Sequence, residues 1–143
     1  MATTYEVIYE RFLNRIEDFE LANLPSNDLR EMCHTWLTSA IAKFRKCKND
    51  LKDRDDELAQ FNVDLEDEEI EILSILMNRE WVSQQLHSVL LTRQMYSGKE
   101  QNYYSQAQHM KELMDMDNRL KIEAQKLSRD YTFANDVKGY FGT

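Results

Sequence analysis

Leu65-Glu-Asp-Glu-Glu-Ile-Glu-Ile-Leu-Ser-Ile-Leu-Met-Asn-Arg-Glu-Trp81 is the stretch from which the fold of this chain is read. Leu65 and Ile70 have the spacing of a hydrophobic staple. Asp67, Glu68 and Glu69 stand where the positive end of a helix dipole favours acids. From there Ile70, Leu73, Leu76, Met77 and Trp81 recur at helical steps, and Leu86 and Val89 continue the stripe toward Met95. The pattern predicts a helix that starts near Glu66 and is broken by Ser97-Gly98.

The same periodicity spreads in both directions. Tyr5, Ile8, Phe12, Ile16 and Phe19 predict a first helix from Thr4 to Ala22, ended by Leu24-Pro25-Ser26-Asn27-Asp28. Asp28 and Glu31 fit a weak capping box, and Leu29, Cys33, Trp36, Leu37, Ala40, Ile41 and Phe44 give a second helix from Asp28 to Asn49. Residues 49–64 are charged and lose periodicity, so they read as an ordered connector with a short helical turn, anchored by Leu58, Phe61 and Val63. A fourth helix, Glu100 to Asp130, presents Tyr103, Ala107, Met110, Leu113, Met114, Leu120, Ala124 and Leu127. Helices of some thirty residues are about 45 Å long, more than a compact domain of this size needs. They either bend or project and expect company.

Composition agrees with an all-α fold, an elongated bundle of about four helices. One proline and three glycines in 143 residues are too few for a turn-rich β fold, and Leu, Met, Glu, Lys, Gln and Arg are good helix formers. An apolar fraction of 42% excludes general disorder. No run has membrane-spanning length and the N-terminus has no signal-peptide character, so a soluble protein made in a cytoplasm is expected. Cys33 and Cys47, on one predicted helix, would lie roughly 21 Å apart and stay reduced.

The net charge of −8 is concentrated in residues 1–25 and 64–95. The only basic run, Lys43, Arg45, Lys46 and Lys48, reads as a solvated helix C-terminus, so sequence-specific nucleic-acid binding is not expected. Glu31-Met-Cys-His34 matches half of a carboxylate-bridged di-metal motif, but Gln84 and Gln106 stand where a second copy needs glutamate before His87 and His109. The acidic run from Asp53 lacks the glycine and the terminal glutamate of a calcium loop. No phosphate-binding loop and no nucleophile–base pattern stands out, so no cofactor, no metal and no enzymatic activity are expected. Met77, Met110 and Met114 fall on predicted core stripes, whereas Met95 and Met116 read as exposed.

The C-terminal segment from Tyr131 to Thr143 combines Tyr131, Phe133, Tyr140 and Phe141 with two of the glycines. It reads as a segment that leaves the helical core (1–130) and either folds back onto its own bundle or docks on another subunit as an extended docking tail (131–143), with Tyr131, Phe133, Val137, Tyr140 and Phe141 at a protein interface.

The order of segments matters too: Trp36-Leu-Thr-Ser-Ala-Ile-Ala-Lys-Phe44, then Asp55-Asp-Glu-Leu-Ala-Gln-Phe-Asn62, Asp67-Glu-Glu-Ile-Glu-Ile-Leu73, Glu80-Trp81, Tyr104-Ser-Gln-Ala-Gln-His-Met-Lys-Glu-Leu113 and Asp130-Tyr-Thr-Phe133. In this order they resemble the small head–tail connector (adaptor or neck) proteins of tailed phages of Gram-positive bacteria. The resemblance implies a virion subunit, assembled in the host cytoplasm, that sits in a ring of commonly twelve copies beneath a portal protein. Such a ring extends the DNA channel, lets DNA pass without specific binding, and docks a downstream neck or tail protein. No membrane partner is implied. Asp67, Glu68, Glu69 and Glu71 either stabilise a helix start or line the channel, where like charge keeps DNA from sticking. A different class also fits the amphipathic helices: a cytoplasmic adaptor or regulator that binds a partner helix.

Overall fold

The computed structural model describes residues 2–16, 25–95 and 100–140, and within these ranges the side chains outside 89–95, 100–106 and 137–140. Among the described residues, four helices form an all-α bundle with one small sheet: β1 (Thr3–Thr4), α1 (Tyr5–Arg15), α2 (Ser26–Lys43), β2 (Arg54–Asp55), β3 (Gln60–Phe61), α3 (Asp67–Met95) and α4 (Glu100–Tyr140).

α3 is the centre of the bundle, in contact with α1, α2 and α4. Its staple is formed: Leu65 and Ile70 are both buried in the core. Ile72, Leu73, Ser74, Ile75, Leu76, Met77 and Asn78 are buried in succession, so this part of the helix has no solvent face. A helix surrounded on all sides buries every position, which is why Ile72 and Ile75 join the one-sided stripe expected from periodicity. Each such side chain stabilises the fold by about 1.5–3 kcal/mol. Phe12 of α1 packs its ring on Trp36 of α2 at 5.4 Å, and Trp36 donates its indole N–H to Gln84 Oε1 of α3 (3.0 Å).

Four boundaries differ from expectation. α1 stops at Arg15, because Ile16 is extended (φ −109°, ψ 144°) and packs against the core; Phe19 and the expected continuation to Ala22 lie outside the described residues. α2 begins two residues before the expected Asp28, behind Pro25, and the Pro25 carbonyl accepts the Leu29 amide (3.0 Å). It ends at Lys43 rather than Asn49, because Phe44 leaves the helix (φ −90°, ψ 70°) and is buried. Cys47 is therefore not on that helix; both cysteines are free, Cys33 buried and Cys47 half-buried. Finally, α4 runs on past Asp130 to Tyr140, where an extended tail was expected. Gly139 falls at the helix end, where glycine costs little. The expected break at Ser97-Gly98 lies outside the described residues.

Residues 49–64 form a β-hairpin rather than a helical turn. β3 lies between β1 and β2, antiparallel to both, pairing Thr3 and Arg54 with Phe61 and Thr4 and Asp55 with Gln60. Asp55 Oδ1 accepts the amides of Glu57 (3.0 Å) and Leu58 (3.1 Å), a side-chain turn that competes with helix. Ala59 completes the reversal in the left-handed region (φ 53°). Phe61 is fully buried and Val63 half-buried, but Leu58, the third expected anchor, is 66% exposed at the tip. Met114 is likewise exposed although its spacing suggested core; Met110 is half-buried and Met116 packs against the core.

Candidate functional site

Three groupings of chemistry-bearing side chains emerge from this frame. The first is a buried carboxylate. Glu69 follows the α3 N-terminus by two residues and is 0% exposed. Its Oε1 accepts Asn49 Nδ2 (2.7 Å) and the Glu66 amide (2.8 Å); its Oε2 accepts Tyr131 Oη–H (2.9 Å), Cys47 Sγ–H (2.9 Å) and the Asn49 amide (3.4 Å). Tyr131, 1% exposed, in turn accepts the Lys48 amide (2.8 Å), and its ring meets Phe44 edge-on at 5.6 Å. Burial alone would raise the Glu69 carboxyl, but the donors from Cys47, Glu66, Tyr131 and Asn49 outweigh it and hold it below its ordinary value. Burial, with Glu69 adding to it, raises the Tyr131 phenol. The Cys47 thiol is pushed up to about 12, first by burial and then by the bond to Glu69, so it stays protonated and donates. With every lone pair of the carboxylate taken, the arrangement locks the chain: it ties α4 to α3 and to the turn after α2.

The second grouping surrounds Tyr5, whose Oη–H donates to Asp56 Oδ1 at 2.6 Å and whose ring stacks on His34 at 5.8 Å. That bond, with Arg54 and His34 nearby, keeps the exposed Asp56 carboxyl low against a slight opposing effect of burial. A cavity of about 590 Å³ opens beside them, with Arg30 and Glu31 on its wall. Among the described residues no three His, Cys, Asp or Glu side chains converge on a metal-sized position, so His34 and Glu31 gain no further ligand.

The third is a groove of about 870 Å³ bounded by the end of α2, by α3 and by α4. Lys43, Lys46, Arg79, Lys121 and Arg129 line it, against a single acid, Asp136. Lys43 pairs with Glu80 and Arg79 with Asp117 (3.3 Å). Lys46, Lys121 and Arg129 have no ion-pair partner among the described residues. In a chain of net charge −8 this is a concentrated reversal of sign. Phe133 stands at the groove, 71% exposed.

The residues singled out from sequence scatter across these groupings. Of the tail residues, Tyr131 is inside the fold and Phe133 outside; the side chains of Val137 and Tyr140, and all of Phe141, lie outside what is described. The acidic four also separate. Asp67 and Glu68 face water, Glu71 bonds Arg15 (2.8 Å) and Arg11 (3.5 Å), and Glu69 is withdrawn from any surface, so it cannot line a channel. Sequence reasoning missed the Glu69–Cys47–Tyr131 lock and the basic groove. Tyr131 had a usable signal, since it continues the α4 stripe of Leu113, Leu120 and Ala124 at helical spacing. No protein-family model, curated protein or solved structure matches this chain.

Proposed function

We propose that this protein is a structural subunit that works by assembly, a head–tail connector that forms a ring beneath a phage portal, extends the DNA channel and docks the next neck or tail protein. The observation that carries the reading is the outer side of α4. Ile122 (65% exposed) and Phe133 project from a helix roughly 60 Å long, on the side away from Leu120, Ala124 and Tyr131. Large apolar residues left in water along a projecting helix are what a subunit contact would cover. In this reading the chain acts without cofactor or catalysis. It contacts copies of itself, twelve by resemblance, and Asp67 and Glu68 supply the negative charge past which DNA slides.

The test is sedimentation and particle imaging of the purified protein, alone and mixed with cognate portal rings. A ring of its own or a ring stacked on the portal is the expected result. A monomer under both conditions, at low and at moderate salt, would overturn the connector reading in favour of a cytoplasmic adaptor that binds a partner helix. Truncation after Asp130 is unsuited to this test, because it removes Tyr131 from the core.

A further inference from the structure

We infer that copies of this chain join head to tail, the acidic hairpin tip of one seated in the basic groove of the next. The inference rests on the ring reading and names the two surfaces that would close it. The tip is the turn between β2 and β3, where Leu58 is 66% exposed between Glu57 and Ala59, with Asp56 alongside. Arg54 lies 3.5 Å from Asp56, which leaves Glu57 without an ion pair among the described residues. The groove offers the complement: Lys46, Lys121 and Arg129 uncompensated, with Phe133 beside them as an apolar contact. Its volume of about 870 Å³ has ample room for a leucine side chain with its flanking turn.

The tip and the groove are separate surfaces of one subunit. The tip lies against Tyr5 and beside His34, whereas the groove begins at Lys43, nine residues further along α2, or about 13 Å of helix rise. They share no lining residue. When each copy gives its tip to one neighbour and its groove to another, the contact is heterologous, and repeated from copy to copy it closes a ring if the rotation fits and runs to a filament if it does not; a reciprocal exchange within one pair would instead stop at a two-fold dimer. Each patch sets one exposed apolar residue among charges mainly of one sign, acidic at the tip and basic in the groove, so orientation and register are set by charge and the burial by Leu58 against Phe133.

Two sets of full-length variants test this. Leu58→Cys and Phe133→Cys, each alone, should remain uncrosslinked under mild oxidation, since like positions do not meet in this contact and burial pushes the native Cys33 and Cys47 thiols up to about 12, so both stay protonated. Mixed together they should give one covalent dimer, and the double variant a ladder of covalent multimers. Separately, Glu57→Lys and Arg129→Glu should each weaken self-association about tenfold at low salt, with a 1:1 mixture restoring it, because the reversed tip then meets the reversed groove. Unchanged circular dichroism would exclude misfolding as the cause. Wild-type rings that none of these variants crosslink or weaken would overturn this interface and leave the connector reading standing. A crosslinked dimer from Phe133→Cys alone would overturn it in favour of a two-fold contact. A wild-type monomer both alone and with portal rings would remove both.

Discussion

Tyr131 and Phe133 are two residues apart on α4 and of the same chemical class, yet one is 1% exposed and the other 71%. Two residues are about 200° around a helix, so the neighbours must face opposite ways. Which one turns inward is settled by its partners. Tyr131 meets a carboxylate, an amide and a phenylalanine ring that together satisfy a phenol. Phe133 meets a groove of cations. The inner aromatic is held by its own chain, and the outer one stands in water.

This contrast can be broken from the inside. Tyr131→Ala, or truncation after Asp130, removes a fully packed aromatic and should cost about 3–5 kcal/mol in chemical denaturation. A loss below about 1 kcal/mol would mean that the last turns of α4 do not support the core. Glu69→Ala strands the donors of Asn49, Glu66 and Tyr131 in a dry site and should cost about 3 kcal/mol.

The same carboxylate sets an acid limb. Its folded-state value lies below the ordinary 4.5, so its contribution is complete above that pH and is lost as the pH falls through the lower folded value. Glu69→Gln should flatten the loss of stability between wild type and variant over that acid range, and parallel acid profiles would contradict the assignment. A finer probe is Tyr131→Phe, which keeps the ring and deletes only the bridge between the Lys48 amide and Glu69, an expected cost of about 1–2 kcal/mol. Phe133→Ser is the outward counterpart: folding stability should move by less than about 0.5 kcal/mol, while self-association falls. If Phe133→Ser destabilised the monomer as much as Tyr131→Phe, the division into inner and outer aromatic would be wrong.

The reach of the sequence can be judged from the same residues. The α3 start was legible because a staple and an acidic first turn are local signals carried by Leu65, Ile70 and Asp67 through Glu69. The hairpin was not, since its turn depends on Asp55 bonding two amides and on Ala59 taking a left-handed backbone that few non-glycine residues adopt. The aromatic and glycine content of residues 131–143 suggested a departing tail, but those cues describe what the segment contains and not what waits for it. Glu69 was grouped with Asp67, Glu68 and Glu71 as one acidic patch; its one local cue is its place three residues after Glu66, whose amide it accepts, while the donors from Cys47, Asn49 and Tyr131 come from far along the chain.

Sequence alone determined the helical class and the central stripe of α3, because periodicity acts over a turn or two. Tertiary structure alone decided that Glu69 is buried and ionised, that Tyr131 is inside while Phe133 is outside, and that five cations share one groove. Each of those depends on donors or neighbours brought from distant segments, 43–49, 66–79 and 121–133. A carboxylate or a phenol can enter a core only when such partners arrive with it.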